Sequence, residues 1–321
     1  MDVYDGHSND DENTIDISLA IFRGHKGEVN SCTLSPDYQL LVTAADDSRL
    51  IIWNVLKRSK LCELIGHQGP VNSCVFSSNN KLVASGSHDS TVRLWETSTS
   101  ECLKVLSGHS RSVEKVCFSP DDATLCSASW DKTLNIWDVK SGVILHCLVG
   151  HSDCVKSCVF SSCGTFIASG GWDFLVKVWK LKPTLKDTSE ESKWMLRRYE
   201  KAPGCDVYVI SMKGHTGNVS TVAFSIAGLL ASGSWDRTVC LWDPFRGNLL
   251  KKLTGHSGWI KAVNFSINSI ELASTADDDT VRVWNVISGE CTKIYPALTD
   301  ISQTCHFSSS GSLIASGSAP Q

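Results

Sequence analysis

Serine or threonine, histidine and aspartate recur together six times along this 321-residue chain. The histidines are His25, His67, His109, His151, His215 and His256, each preceded by glycine. The aspartates, 22 residues further on in five cases and 21 in the fifth, are Asp47, Asp89, Asp131, Asp173, Asp236 and Asp278. Four positions before each aspartate stands Thr43, Ser85, Ser127, Ser169, Ser232 or Ser274. These are the parts of an acyl-transfer triad: a hydroxyl nucleophile, a base, and a carboxylate that orients the base. A triad, however, works once, in a cleft, with an exposed nucleophile beside an oxyanion hole. Here the set repeats in register, and six residues beyond each aspartate stands Trp53, Trp95, Trp137, Trp179, Trp242 or Trp284. Repetition points to architecture rather than turnover. No phosphate loop, HExxH, GxSxG or GxGxxG motif is present, so the expectation is a non-enzymatic binding module with no cofactor.

The elements that must hold these residues follow from one repeat. In GHSRSVEKVCFSPDDATLCSASWDKTLNIWDV, residues 108–139, VEKVCF alternates apolar and polar and reads as a strand. SPDDA supplies turn residues, TLCSAS is a second strand, TLNIWDV a third, and VILHCLV a fourth before the next Gly-His pair. Four antiparallel strands make a sheet that cannot bury both of its faces alone, so repeats must stack. The first four histidines are 42 residues apart, the step to His215 is 64 and the step to His256 is 41. A period in the low forties with early Gly-His and late Trp resembles the WD-repeat β-propeller family over nearly the whole chain.

That resemblance implies an all-β fold, in which Ser or Thr, His, Asp and Trp of each repeat join in a hydrogen-bonded tetrad. Innermost strands starting at Val29, Val71, Val113, Val155, Val219, Ile260 and Ile301 predict seven blades. The seventh is degenerate: Pro296 and Ala297 replace Gly-His, Pro320 replaces the tetrad aspartate, and no tryptophan follows. Ile15 to Phe22 is expected to be its outer strand, closing the ring from the N-terminal side. A single propeller domain over 14–321 is predicted, after a disordered acidic segment at 1–13. Residues 182–205, rich in charge and interrupted by prolines, form an insertion between the third and fourth strands of blade four, with a possible short helix in SEESKWMLRRYEK. The likeness is strongest to small stand-alone propellers of the family, carried by GLLASGSWDRTVCLWDP (228–244), GHSGWIKAVNFS and TDISQTCHFSSSG.

A net charge of −4 gives no basic footprint for nucleic acid, and no apolar run reaches the about 20 residues of a membrane span. Fourteen cysteines without a CxxC pair read as buried small hydrophobes in a reducing compartment, cytoplasmic or nuclear. No metal site is expected, Cys154, Cys158 and Cys163 being the nearest to a cluster.

Function should sit where the repeats differ. In this family the residue before the tetrad aspartate points toward the Gly-His face; it is Asp46, His88, Trp130, Trp172, Trp235 or Asp277. The residue after each inner-strand start lines the channel mouth and includes Glu114, Lys156 and Lys261, and Trp259 stands just before one such start. The expected site for a protein or peptide partner is therefore Trp130, Trp172, Trp235 and Trp259 with Lys156, Lys261 and Glu114. Inter-blade packing is the competing account of the tryptophans. A histone-methyltransferase scaffold propeller of this family grips an arginine peptide between two phenylalanines; Glu114 occupies one of those places, so that pocket is not expected. Residues 125–140 resemble the box by which some propellers dock as substrate receptors on cullin-based ubiquitin ligases, with Trp137, Asp138 and Lys140 matching. A ligase adaptor is accordingly the alternative partner.

Overall fold

The computed structural model describes residues 22–181, 199–296, 306–307 and 314–315. Blade one comprises β1 (Val29–Leu34), β2 (Leu40–Ala45), β3 (Arg49–Asn54) and β4 (Ser59–Ile65). Blade two comprises β5 (Val71–Phe76), β6 (Leu82–Ser87), β7 (Thr91–Glu96) and β8 (Cys102–Ser107). Blade three comprises β9 (Val113–Phe118), β10 (Thr124–Ser129), β11 (Thr133–Asp138) and β12 (Ile144–Val149). Blade four holds β13 (Val155–Phe160), β14 (Phe166–Gly171), β15 (Val176–Lys180), β16 (Glu200–Lys201) and β17 (Tyr208–Met212). Blade five is β18 (Val219–Phe224), β19 (Leu230–Ser234), β20 (Val239–Asp243) and β21 (Asn248–Leu253). Blade six is β22 (Ile260–Phe265), β23 (Glu271–Ala276), β24 (Thr280–Asn285) and β25 (Cys291–Pro296). Each is an antiparallel sheet, a simple meander except in blade four, where β17 lies between β15 and the edge strand β16, and the inner strands pack against one another in sequence order.

Among the described residues six blades form, not the seven expected. Of the segment assigned to a seventh, the described residues are β26 (His306–Phe307) paired with β27 (Ile314–Ala315), beside the inner strands of blades one and six. The physical reason lies in what that segment lacks. Alternating apolar residues permit strands, but Pro296, Ala297 and Pro320 stand where the Gly-His pair and the aspartate of a tetrad would be. The expected closing strand at 15–22 lies outside the described residues except for Phe22, whose ring packs edge-on against Trp53 at 5.6 Å. The acidic segment 1–13 lies outside them too, as does most of the possible helix. The described end of the insertion is not helical: β16 adds a fifth, edge strand to blade four, and the Tyr199 hydroxyl donates to the Pro244 carbonyl of blade five at 3.0 Å.

The core sits between blades rather than within them. Val42, Ile52 and Leu64 of blade one pack with Val71, Cys74 and Phe76 of blade two. Cys126, Ile136 and Leu148 of blade three meet Val155, Cys158 and Phe160 of blade four in the same way. This is the stacking that a sheet with two apolar faces requires.

All six tetrads are formed. In blade three the Trp137 indole N–H donates to Ser127 Oγ at 2.8 Å, and Ser127 lies 2.7 Å from His109 Nε2. His109 Nδ1 is 2.8 Å from Asp131, which also accepts the Ser110 amide at 3.1 Å. Indole N–H can only donate, so the serine oxygen accepts it and its own proton donates to Nε2. Nδ1–H then donates to the carboxylate. The polarity is that of a Ser-His-Asp triad, yet the five tetrad serines have no exposed surface and Thr43 has 7%. These hydroxyls are spent as hubs and cannot reach a substrate.

Burial opposes a charged Asp131, but hydrogen bonds from His109, Thr133 and the Ser110 amide outweigh it and hold the carboxyl well below its usual range. Asp89 and Asp236 behave alike, and Asp278 is held down to about 2. Burial lowers His151 and His256, with their aspartates only partly offsetting it, so the neutral imidazole is favoured.

Two outcomes follow for stability. His109→Ala strands Ser127 and Asp131 and should cost about 3 kcal/mol by denaturant titration, the range for a broken buried network; a loss under about 0.5 kcal/mol would remove the tetrad from its assigned role. Acid should destabilise in two stages. His151 and His256 take up protons more readily unfolded than folded, so stability begins to fall below about pH 6.5. The aspartates contribute fully above about pH 4 and lose that contribution as pH drops toward their depressed folded values. Melting temperature should be level between about pH 7 and 8 and fall steadily below; a rise on going to pH 5 would contradict this.

Candidate functional site

The Gly-His face is built from hairpin loops between the second and third strands of each blade, three residues long in blades one, two, three and six and four in blades four and five. In blade three these residues are Trp130, Asp131 and Lys132. The middle residue is the tetrad aspartate, so the hydrogen-bond network fixes the loop from beneath. The third residue takes a left-handed backbone in every blade: Ser48, Ser90, Lys132, Phe174, Arg237 and Asp279 have φ between 55° and 72°. The first residue is latched through its amide to the carbonyl just before the inner strand, as with Trp130 to Ser112 at 3.0 Å, Trp172 to Cys154 at 2.9 Å and Asp277 to Trp259 at 2.9 Å. The backbone is thus over-determined while the first side chain is left to vary.

The four expected tryptophans come together. Ring centroids are 5.8 Å apart for Trp130–Trp172 and 5.5 Å for Trp172–Trp235. Trp235 and Trp259 stack at 4.5 Å with 7° between planes. His88 extends the series, edge-on to Trp130 at 6.3 Å. An aromatic arc therefore crosses blades two to six. Trp130, Trp172 and Trp235 are half-buried, whereas Trp259 at its end is 45% exposed. The inner three rings pack neighbouring blades together, and the arc leaves open aromatic surface at its Trp259 end.

Expected channel-mouth residues have a common cause. In each blade the first-to-second strand ladder skips one residue, so that Val113 and Lys115 pair with Ser129 and Ala128 while Glu114 is passed over. The skipped residues are Asn30, Asn72, Glu114, Lys156, Ser220 and Lys261. A β-bulge re-aims its extra side chain. Here several are aimed at the next blade. Asn30 Nδ2 donates to the Val71 carbonyl at 3.2 Å and Asn72 Nδ2 to the Val113 carbonyl at 2.9 Å. Glu114, buried, accepts from Ser112 at 2.7 Å and Asn72 at 3.1 Å, and pairs with the Lys156 ammonium. Lys261 pairs with Asp277 at 3.1 Å. The charges expected to meet a partner are already matched to each other, and Glu114 with Lys156 ties blade three to blade four.

The repeat pattern does not single out one further aromatic on this face. Phe174 follows Asp173 in the same loop as Trp172, is 45% exposed and has φ of 66°. A bulky residue rarely adopts that backbone. The signal was legible, since the position after each tetrad aspartate otherwise carries Ser, Lys, Arg or Asp.

Of the ligase-box residues, Trp137 is buried in its tetrad and Asp138 caps the following turn by accepting from the Ser141 amide and hydroxyl, both at 2.6 Å. Lys140 is exposed. Cys154, Cys158 and Cys163 do not converge; Cys158 lies instead with Cys117 and Cys126.

The family model described as "WD domain, G-beta repeat" matches residues 17–54, 58–96, 100–138, 142–180, 206–243 and 247–285. Curated relatives include eukaryotic translation initiation factor 3 subunit I of Neosartorya fischeri, 39% identical over 87 residues, 27% of this chain and 26% of the relative. The protein of that name in Aspergillus terreus is 36% identical over 104 residues, 32% of this chain and 31% of the relative. In Emericella nidulans the figures are 36% over 106 residues, 33% and 31%. The chain spans under a third of the length of these relatives.

Replacing Phe174 by glycine should relieve the left-handed strain and raise stability by about 0.5–1 kcal/mol in denaturant titration. A loss of stability would mean that the exposed ring is a packing element and not surface held at a cost.

Proposed function

Because this chain belongs to the WD domain, G-beta repeat family, whose propellers serve as interaction scaffolds, we propose that it is a non-enzymatic adaptor that binds a protein or peptide on its Gly-His face. The observation that carries this reading is the aromatic arc from His88 to Trp259, with Phe174 held in a strained, exposed conformation beside it. Large rigid rings bury much area at little entropic cost, and tryptophan is enriched at binding hot spots. The tetrads do not need these side chains, and Trp259 at the open end of the arc is 45% exposed. Lys156 and Lys261 stand at the channel mouth with their charges paired to Glu114 and Asp277, and that fixed charge pattern can set the register of a bound segment.

The relatives are named as a subunit of a translation initiation factor, and we infer an analogous place in a multi-protein assembly. Within the family the likeness of residues 228–244 to the small stand-alone propeller called WD repeat-containing protein 38 brings no activity with it. A role as substrate receptor of a cullin-based ligase rests on Lys140 alone among exposed side chains, and no contact favours it. Fourteen thiols suit a reducing compartment, cytoplasm or nucleus.

The test compares partner recovery by quantitative affinity isolation from cells. Trp259→Ala removes the most exposed ring of the arc and should leave the melting temperature within about 2 °C while lowering recovery of the bound assembly at least about tenfold, the effect of one hot-spot residue. Lys201→Glu in the insertion should leave recovery unchanged. Loss with Lys201→Glu alone would move the site off the Gly-His face.

A further inference from the structure

Blades three and four meet at three cysteines that no sequence spacing groups. Cys117 on β9 lies directly across the ladder from Cys126 on β10, and Cys158 on β13 faces them from the next blade. The three sulfurs lie within 4.8 Å of one another, and those of Cys117 and Cys158 are 3.7 Å apart. Cys126 and Cys158 are fully buried and Cys117 largely so.

The propeller supplies its own comparison. Between blades one and two the same positions carry Thr33, Val42 and Cys74, with Thr33 paired to Val42 as Cys117 is to Cys126. Cys74 Sγ donates to the Val42 carbonyl at 3.6 Å, as Cys158 does to the Cys126 carbonyl at 3.8 Å. One thiol there is a small apolar filler. The ladder pair that is Cys117–Cys126 in blade three is Val75–Ala84 in blade two, Val159–Ala168 in blade four and Ala223–Ala231 in blade five. Packing is therefore satisfied by Val and Ala, and it does not call for two added thiols.

The geometry points to a trigonal three-thiolate site for a soft monovalent metal ion, Cu(I), held between blades three and four by Cys117, Cys126 and Cys158. Three sulfurs around an ion with bonds of about 2.3 Å stand about 4.0 Å apart, within reach of the observed separations by small side-chain rotations. The donor set narrows the ion. Thiolates favour Cu(I), zinc and iron–sulfur clusters. Structural zinc sites are almost always four-coordinate and the clusters take four cysteines. No fourth His, Cys, Asp or Glu joins this group among the described residues.

Each thiol that coordinates releases its proton to solvent, no electron moves, and Lys115 offsets part of the residual negative charge. The site is closed, so loading occurs during folding or local opening.

Cu(I), supplied anaerobically as its bicinchoninate complex during refolding of the full chain, tests the assignment. One copper per chain should survive gel filtration, X-ray absorption should give three sulfur donors, and the melting temperature should rise by at least about 4 °C with the ion well above its dissociation constant. Cys117→Val and Cys126→Ala place at these positions the residues other blades carry, so both should fold and lose the copper and the shift. Cys154→Ser and Cys163→Ser should keep both. Copper retention unchanged in Cys126→Ala would overturn the site. Equal stabilisation by Zn²⁺ would overturn its trigonal, Cu(I)-selective character.

Discussion

One buried hydroxyl per blade carries the structure. Ser127 and its counterparts accept from a tryptophan on the third strand and donate to a histidine on the incoming loop, whose other nitrogen is tied to the hairpin aspartate. Remove the hydroxyl and the indole N–H and the histidine Nε2 lose their partner at once, in a place where water cannot substitute. Three consequences depend on that hub. It locks the loop that enters each blade to the turn that leaves its second strand. It fixes the aspartate, which in turn holds the neighbouring residue in a left-handed conformation. It also renders harmless a constellation that would be catalytic if the oxygen were open.

The tetrads explain why the Gly-His face can vary without unfolding. A short loop whose second residue is pinned from below and whose first amide is latched to the strand beside it has little need of its first side chain. Aspartate, histidine and tryptophan occupy that position in different blades. The bulge in every inner strand works similarly. It takes one residue out of the ladder and points it at the next blade, where Asn30, Asn72 and the Glu114–Lys156 pair close seams between sheets. Partner recognition and ring assembly thus draw on adjacent positions of the same loops, and Trp172, packed between Trp130 and Trp235, belongs to both.

Blade number is decided by the same economy. A sheet needs a neighbour on each face, but it becomes a blade only when its four strands are tied at the Gly-His end. Beyond Pro296 the described residues His306–Phe307 and Ile314–Ala315 pair, yet Pro296, Ala297 and Pro320 stand where a tetrad's Gly-His pair and aspartate would be, and only the serine position, Ser316, is kept. Strand-forming alternation and blade-forming chemistry are separate requirements, and counting inner-strand starts measures only the first.

Much was legible in the chain itself. The repeat of Gly-His, Ser or Thr, Asp and Trp determined the strand order, the six tetrads and the all-β class, because hydrogen-bond partners at a fixed offset admit one local geometry. It also placed Trp130, Trp172, Trp235 and Trp259 on one face. What only the tertiary structure decided were relations between blades, which no spacing within a repeat encodes. Sequence could not tell that Glu114 and Lys156, 42 residues apart, neutralise each other across a seam. It could not tell that the tryptophans form one arc rather than four isolated anchors, or that Phe174 stands exposed on a strained backbone. Inner-strand starts number seven where six blades form among the described residues, because a strand start does not by itself make a blade. Proximity in the chain groups Cys154, Cys158 and Cys163, whereas the fold brings Cys158 to Cys117 and Cys126: neighbours on a strand point to opposite faces, and a sulfur finds its companions on the sheet it packs against.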